Sequence, residues 1–228
     1  MSMPPDQGKH SRKEVDSAEE VLPETFASQA LLKQAKDDLK HPDANVKILA
    51  MQYLEKVNPS VSLPLLKEGL SDRDSGVRTQ ALRSLMNIRD PSFYPLLKKY
   101  IRDDDLKVRM VALRGMFQYG EKIDLNLLVQ CLSDDSPWVR RKMATLLGWR
   151  QIEGSFPILI ELSKDPEPKV RKAGLFSLIT HYPEEGKNRL VEMMNDPDPD
   201  LRKWIRSTLE IIGKSPLKER RGSRSNRA

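Results

Sequence analysis

Asp72-Arg73-Asp74-Ser75-Gly76-Val77-Arg78 decides how this 228-residue chain is read, because relatives of it recur at one spacing. Asp103-Asp104-Asp105-Leu106-Lys107-Val108-Arg109 and Asp134-Asp135-Ser136-Pro137-Trp138-Val139-Arg140 follow it. Then come Asp165-Pro166-Glu167-Pro168-Lys169-Val170-Arg171 and Asp196-Pro197-Asp198-Pro199-Asp200-Leu201-Arg202. A divergent copy, His41-Pro42-Asp43-Ala44-Asn45-Val46-Lys47, precedes them all. From Val46 through Val77, Val108, Val139 and Val170 to Leu201 every step is 31 residues. Equal steps without an insertion mark a stack of repeats, a solenoid.

Behind each of these positions the apolar residues keep helical spacing: Val77, Ala81 and Leu85, then Val108, Ala112 and Met116, then Val139, Met143 and Leu147. Asp74, Asp105, Ser136 and Asp198, three residues ahead, are N-cap candidates, because their side-chain oxygens can accept from free N–H groups of the first turn. Pro137, Pro168 and Pro199 stand at the first helical position, where a missing N–H costs nothing.

A second apolar stripe lies in front of each heptapeptide: Leu63, Leu66 and Leu70, then Tyr94, Leu97 and Ile101, then Leu125, Leu128 and Leu132, then Phe156 and Leu159. Pro64, Pro95 and Pro157 share one column of it and predict an early bend, since an internal proline removes a backbone bond and crowds the preceding turn. Gly213 is expected to end the last helix. The expected fold is all-α, a right-handed α-solenoid of six 31-residue helical hairpins with about twelve helices, over residues 28–213. One hairpin cannot bury its own apolar faces, so stability must come from stacking.

The unit resembles the HEAT repeat, in particular the short bacterial form also seen in phycobilisome-lyase-like proteins. The likeness rests on the early Pro of the first helix, the turn Asp, and the Val-Arg that opens the second helix six residues later. It implies a ladder between adjacent repeats, with Asp72, Asp103, Asp134, Asp165 and Asp196 as acceptors and Arg78, Arg109, Arg140, Arg171 and Arg202 as donors. His41 and Lys47 depart from the pattern in the first unit.

The formal net charge of +6 invites a nucleic-acid reading. Its distribution weakens that reading: residues 1–27 carry three basic and six acidic side chains, and residues 214–228 carry six basic and one acidic, which leaves +4 between them. Residues 1–27 hold too little apolar surface to offset chain entropy and are expected to be disordered. Residues 214–228 read as a disordered basic tail, able to touch nucleic acid or an acidic surface. No apolar run has the length of a signal-peptide core or a membrane span. The single cysteine, Cys131, shares a helix column with Tyr100, Leu162 and Met193, reads as a packed apolar residue, and fits a cytoplasmic setting.

Catalytic constellations are not legible. The three histidines, His10, His41 and His181, are scattered, and none is followed by Glu, as the iron-binding dipeptides of HEAT-repeat hydroxylases require. His-Glu-x-x-His, Cys-x-x-Cys, the Gly-x-x-x-x-Gly-Lys phosphate loop and the Gly-x-Ser-x-Gly elbow are all missing from the sequence. Carboxylate pairs such as Asp134-Asp135 repeat at equivalent turns, which marks them as structural. Neither enzyme activity, nor a cofactor, nor a metal is expected.

What remains is the second-helix face, which lines the concave side in solenoids of this type. With the repeated Val as zero, offsets +2, +6 and +9 are expected to point outward. They bring together Arg83 and Met86, then Met110, Arg114 and Phe117, then Arg141, then Lys172, Phe176 and Ile179, then Lys203. Large apolar groups beside cations are common constituents of interface hot spots. The sequence therefore points to a non-catalytic scaffold or adaptor that binds an acidic, apolar segment of a partner protein. Two alternatives stand beside it: a nucleic-acid-binding protein with glycosylase-like architecture, and a bilin-lyase-like protein. The oligomeric state is left open.

Overall fold

The computed structural model describes residues 26–89, 93–120 and 123–214. Among these it forms twelve helices and no strand, an all-α solenoid. The hairpins are α1 (Phe26–Asp38) with α2 (Ala44–Leu54), α3 (Pro59–Gly69) with α4 (Ser75–Ile88), and α5 (Tyr94–Tyr100) with α6 (Leu106–Tyr119). They continue as α7 (Leu125–Cys131) with α8 (Pro137–Trp149), α9 (Phe156–Leu162) with α10 (Pro168–His181), and α11 (Pro183–Glu192) with α12 (Pro199–Lys214). The expectations for the N-terminal segment before α1 and for the tail from residue 215 lie outside the described residues.

The caps explain where the second helices begin. The Asp74 carboxylate accepts from Val77 N–H at 3.0 Å, and that of Asp105 accepts from both Lys107 and Val108. Asp198 accepts from Leu201 N–H at 2.7 Å. Ser136 differs from expectation: its side chain makes no cap bond, and α8 starts instead on Pro137, whose fixed φ suits the first turn.

The proline column acts differently from the predicted bend. Only α3 carries its proline, Pro64, inside the helix. Helices α5 and α9 start one residue before Pro95 and Pro157 and run for only seven residues each. Delaying the start removes the clash, because proline in a first turn has no backbone bond to break. Gly213 likewise does not end α12, which runs through it to Lys214.

Helices α2, α4, α6, α8 and α10 pack on one another in that order, and each first helix lies against the second helix of its hairpin. One apolar core runs from Ala35 to Leu178. A smaller one joins α10, α11 and α12 through Leu175, Leu190, Met193, Leu201 and Ile205. Cys131 is buried in the first, and burial pushes its thiol up to about 11. The second helices approach closely: a Cβ on Gly148 would lie 2.5 Å from Ser177 Oγ, so a larger residue there would have to displace the Ser177 hydroxyl.

Candidate binding groove

Two edges of the stack are tied by hydrogen bonds between repeats. At the turn edge each interior arginine divides its guanidinium between two repeats. Arg78 donates from Nε and Nη2 to both oxygens of Asp103, at 2.8 and 2.7 Å, while Nη1 donates to the carbonyls of Asp72 and Arg73 in its own turn. Arg109 takes Asp134, Arg140 takes Asp165 and Arg171 takes Asp196 in the same way. Each of these aspartates also accepts, through Oδ1, the N–H two residues on. The first rung is made by Lys47, which donates to Asp72 alone. Among the described residues Arg202 holds only the carbonyls of Asp196 and Pro197, at 2.7 and 3.0 Å. The ladder thus runs one way, from each repeat to the following one.

Burial by itself would raise the carboxyls of Asp72, Asp103 and Asp196, but charge-assisted bonds outweigh it. Asp103 is held below the ordinary aspartate range by Arg78 and the Asp105 N–H, and Asp196 by Arg171 and the Asp198 N–H. Asp72 is lowered by Lys47 and the Asp74 N–H against the same burial cost. The guanidinium groups of Arg78 and Arg140 are raised in turn, first by their bonds to Asp103 and Asp165.

A second ladder, not anticipated, runs along the helix ends. Tyr119 Oη donates to Met86 O at 2.6 Å, Arg150 Nη1 to Phe117 O at 2.8 Å, and His181 Nε2 meets Gly148 O at 3.1 Å. A carbonyl can only accept, so Nε2 of His181 carries the hydrogen in this contact. Each acceptor is a last-turn carbonyl, and that of Met86 also accepts the Arg89 cap N–H at 3.2 Å. The rungs sit in one column, yet Tyr, Arg and His share no residue pattern, so nothing in the sequence marked them.

The helix-end ladder also corrects the expected outward positions. Met86 and Phe117 are each only 6% exposed, and Thr79 is buried with them. Offset +9 faces the next repeat: a Cβ on Gly115 would come within 3.0 Å of Met86 Sδ. Ile179, also at offset +9, is half-buried, and so is Met110 at offset +2. The exposed arc runs through offsets +6 and +10, with Arg83, Arg114 and Phe176 on the first and Trp149 on the second. Arg141, Lys172 and Lys203 are exposed at offset +2.

Where α8, α10 and α12 meet, this arc opens into a groove of about 550 Å³. Of the predicted residues it brings together Arg141, Lys172 and Phe176, and it adds Thr145, Trp149, Lys169 and Trp204. Arg114 and Phe117 line a neighbouring recess of about 320 Å³ with Trp149 and Arg150. Arg83, Met86, Met110, Ile179 and Lys203 line neither. Trp149 is 72% exposed and Phe176 is 59% exposed, unusual for side chains of this size. Lys142 Nζ stands 5.4 Å from the Trp149 ring centroid and Lys172 Nζ 5.2 Å from that of Trp204, both cation–π distances. Among the described residues no carboxylate lines this groove and no ion pair holds Arg141, Lys169 or Lys172, although Glu167 lines an adjoining recess with Arg141, Lys169 and Trp138. Lys169 and Trp204 went unnoticed in the sequence because their offsets, −1 and +3, fall outside the stripe considered. The signal available was that all three tryptophans of the chain, Trp138, Trp149 and Trp204, belong to its C-terminal half.

Among the described residues no cluster of three His, Cys, Asp or Glu side chains could hold a metal, and no helix is long and apolar enough to cross a membrane. No curated protein matches the sequence. Solved structures do match. The complex of CpcE and CpcF of phycocyanin lyase from Nostoc sp. PCC7120 aligns with a TM-score of 0.53 at 16% identity, covering 90% of this chain and 79% of that one. A designed armadillo repeat protein in complex with the peptide (KR)4 aligns with a TM-score of 0.48 at 17% identity, over 78% of this chain and 98% of that one. At these identities the likeness concerns fold alone. The family model for HEAT repeats matches residues 28–117, 103–179 and 125–210, which together span nearly every helix of the stack. With its 31-residue period, its paired helices and its Asp-Arg rungs between turns, the chain belongs to the HEAT-repeat family.

Proposed function

We propose that this protein is a non-catalytic HEAT-repeat adaptor that holds an acidic segment of a partner protein in the groove across α8, α10 and α12. One observation carries the reading: Trp149, Phe176 and Trp204 stand beside Arg141, Lys169 and Lys172 in a cleft that contains no carboxylate. Exposed aromatic rings supply large contact area at low entropic cost, and unpaired cations favour a negatively charged ligand. The partner segment is expected to alternate acidic residues with apolar ones, the acids meeting the cations and the apolar side chains covering the rings. Arg114 and the recess beside Trp149 extend the same track toward α6.

The test is affinity capture of partners from native extract by the tagged chain and by its Arg141→Glu/Lys172→Glu variant, each with and without nuclease. A discrete protein retained by the parent after nuclease and lost from the variant, with helical circular dichroism unchanged, is the expected result. Equal retention by both would remove the groove from the account. The same aromatic and basic pairing suits single-stranded nucleic acid, which stacks bases on exposed rings. Recovery that disappears with nuclease, or a steep fall of affinity with salt, would replace the protein partner with that ligand.

A further inference from the structure

The one-way turn ladder leaves its last arginine half used. Each interior guanidinium is anchored by Nη1 on its own turn and presents Nε and Nη2 to the next aspartate. Arg202 keeps the anchor, on Asp196 O and Pro197 O, but among the described residues no carboxylate meets its other edge. One period beyond Asp196 the sequence has Arg227, so the repeat pattern places no acceptor there.

The end face around Arg202 does not suit a seventh hairpin. The column that carries buried Leu82, Leu113, Ala144 and Leu175 in the interior carries exposed Arg206 in α12. The column of Met86 and Phe117 ends in exposed Glu210, and Lys203 is exposed as well. A charged outer face is what a terminal repeat needs in water. A second copy stacked in register does not fit either, since it would bring His41 to the place where an aspartate belongs. The ligand must instead be polar, acidic and held through a carboxylate.

We infer that the C-terminal end of the stack is a second binding site, distinct from the groove, in which Arg202 takes side-on the aspartate of an acidic turn in a partner protein. A guanidinium fork matches a carboxylate in two parallel bonds, which the point charge of a lysine does not. Anchoring Nη1 beforehand reduces the entropy lost on binding. The interior rungs display the bound pose: at Arg171 both oxygens of Asp196 are engaged, at 2.8 and 2.6 Å, and Oδ1 also accepts the Asp198 N–H at 2.9 Å. The ligand is therefore an aspartate followed two residues later by a free N–H, in a segment whose remaining charge suits Lys203 and Arg206.

The full chain carrying labelled arginine is titrated, by nuclear magnetic resonance, with the capped peptide Asp-Asp-Ser-Pro and with its Asn-Asp-Ser-Pro analogue. The Nε–H signal of Arg202 is identified by its loss in Arg202→Lys. It is expected to move on adding the Asp peptide, with affinity weaker by at least about tenfold for the Asn analogue and for Arg202→Lys. The Arg141→Glu/Lys172→Glu groove variant is expected to bind the peptide as the parent does. Equal affinity for the two peptides, an equal response to inorganic phosphate, or a signal that the peptide does not move would each overturn the assignment. Loss of peptide binding in the groove variant would also overturn it, by placing the peptide in the groove.

Discussion

Arg140 and Arg141 are neighbours in sequence and opposite in circumstance. Arg140 is met by Asp165 at 2.6 and 2.9 Å and by the Asp134 carbonyl, at the edge where each interior repeat does the same. Arg141 points into the groove with Lys169, Lys172 and Trp149 and with no carboxylate. The difference teaches how to read a repeat protein: a charge that recurs in every unit is spent on stacking, whereas a charge or ring that breaks the period is available to a ligand. The turn edge holds the same acceptor and donor types from Asp103 to Asp196, and the groove holds tryptophans that appear once each in their columns.

Removing Arg140 tests that contrast most severely. Arg140→Ala strands the nearly buried Asp165 carboxylate and should cost about 3–5 kcal/mol in urea unfolding followed by circular dichroism. Arg141→Ala in the same assay should stay within about 0.5 kcal/mol. Comparable losses would erase the distinction between the two edges.

Acid should dissolve the turn edge and leave the groove's charge intact. Asp72, Asp103 and Asp196 are lowered in the folded state, so their stabilisation is complete above the unfolded aspartate value near about 3.9 and is lost as pH falls through the lower folded values. Midpoint temperatures should therefore be steady from neutral pH to about pH 5 and drop steeply below about pH 4. Asp103→Asn should start less stable and show a shallower acid limb than the parent.

The helix-end ladder should weigh less than the turn rungs, because it joins neutral groups or a charge to a carbonyl. Tyr119→Phe removes the bond to Met86 O without changing shape, and a loss of about 1 kcal/mol is expected by denaturant titration. The smallest effect should come from one of the largest side chains. Trp149→Ala is expected to change stability by less than about 0.5 kcal/mol, since the ring is 72% exposed, while weakening capture of the groove's ligand. A large stability loss there would reassign Trp149 to packing.

Much of the fold was legible because it is written in local terms. The stripe through Val77, Ala81 and Leu85 is buried as its helical spacing demands, and Asp74 caps α4 as its position suggests. The groove was legible only in part. Arg141, Lys172 and Phe176 were found because offsets +2 and +6 do face outward there, whereas Met86 and Phe117 were misplaced by a small error of rotation about the helix axis. Lys169 and Trp204 needed neighbouring helices to be set side by side before they shared a cleft.

The sequence by itself determined the repeat period and the helical hairpin, because periodicity, capping and apolar spacing act within a few residues, while the pairing of turn aspartates with arginines was implied by the resemblance to the HEAT repeat. Only the tertiary structure decided how one repeat is rotated and staggered on the next. That arrangement turns each arginine toward the following aspartate, leaves Arg202 at the end of the series, and buries offset +9 against the next hairpin. It also aligns Tyr119, Arg150 and His181 with carbonyls that any donor could satisfy. These helix-end contacts lie 33 residues apart and depend on stacking geometry rather than on residue type, which is why no pattern in the chain announced them.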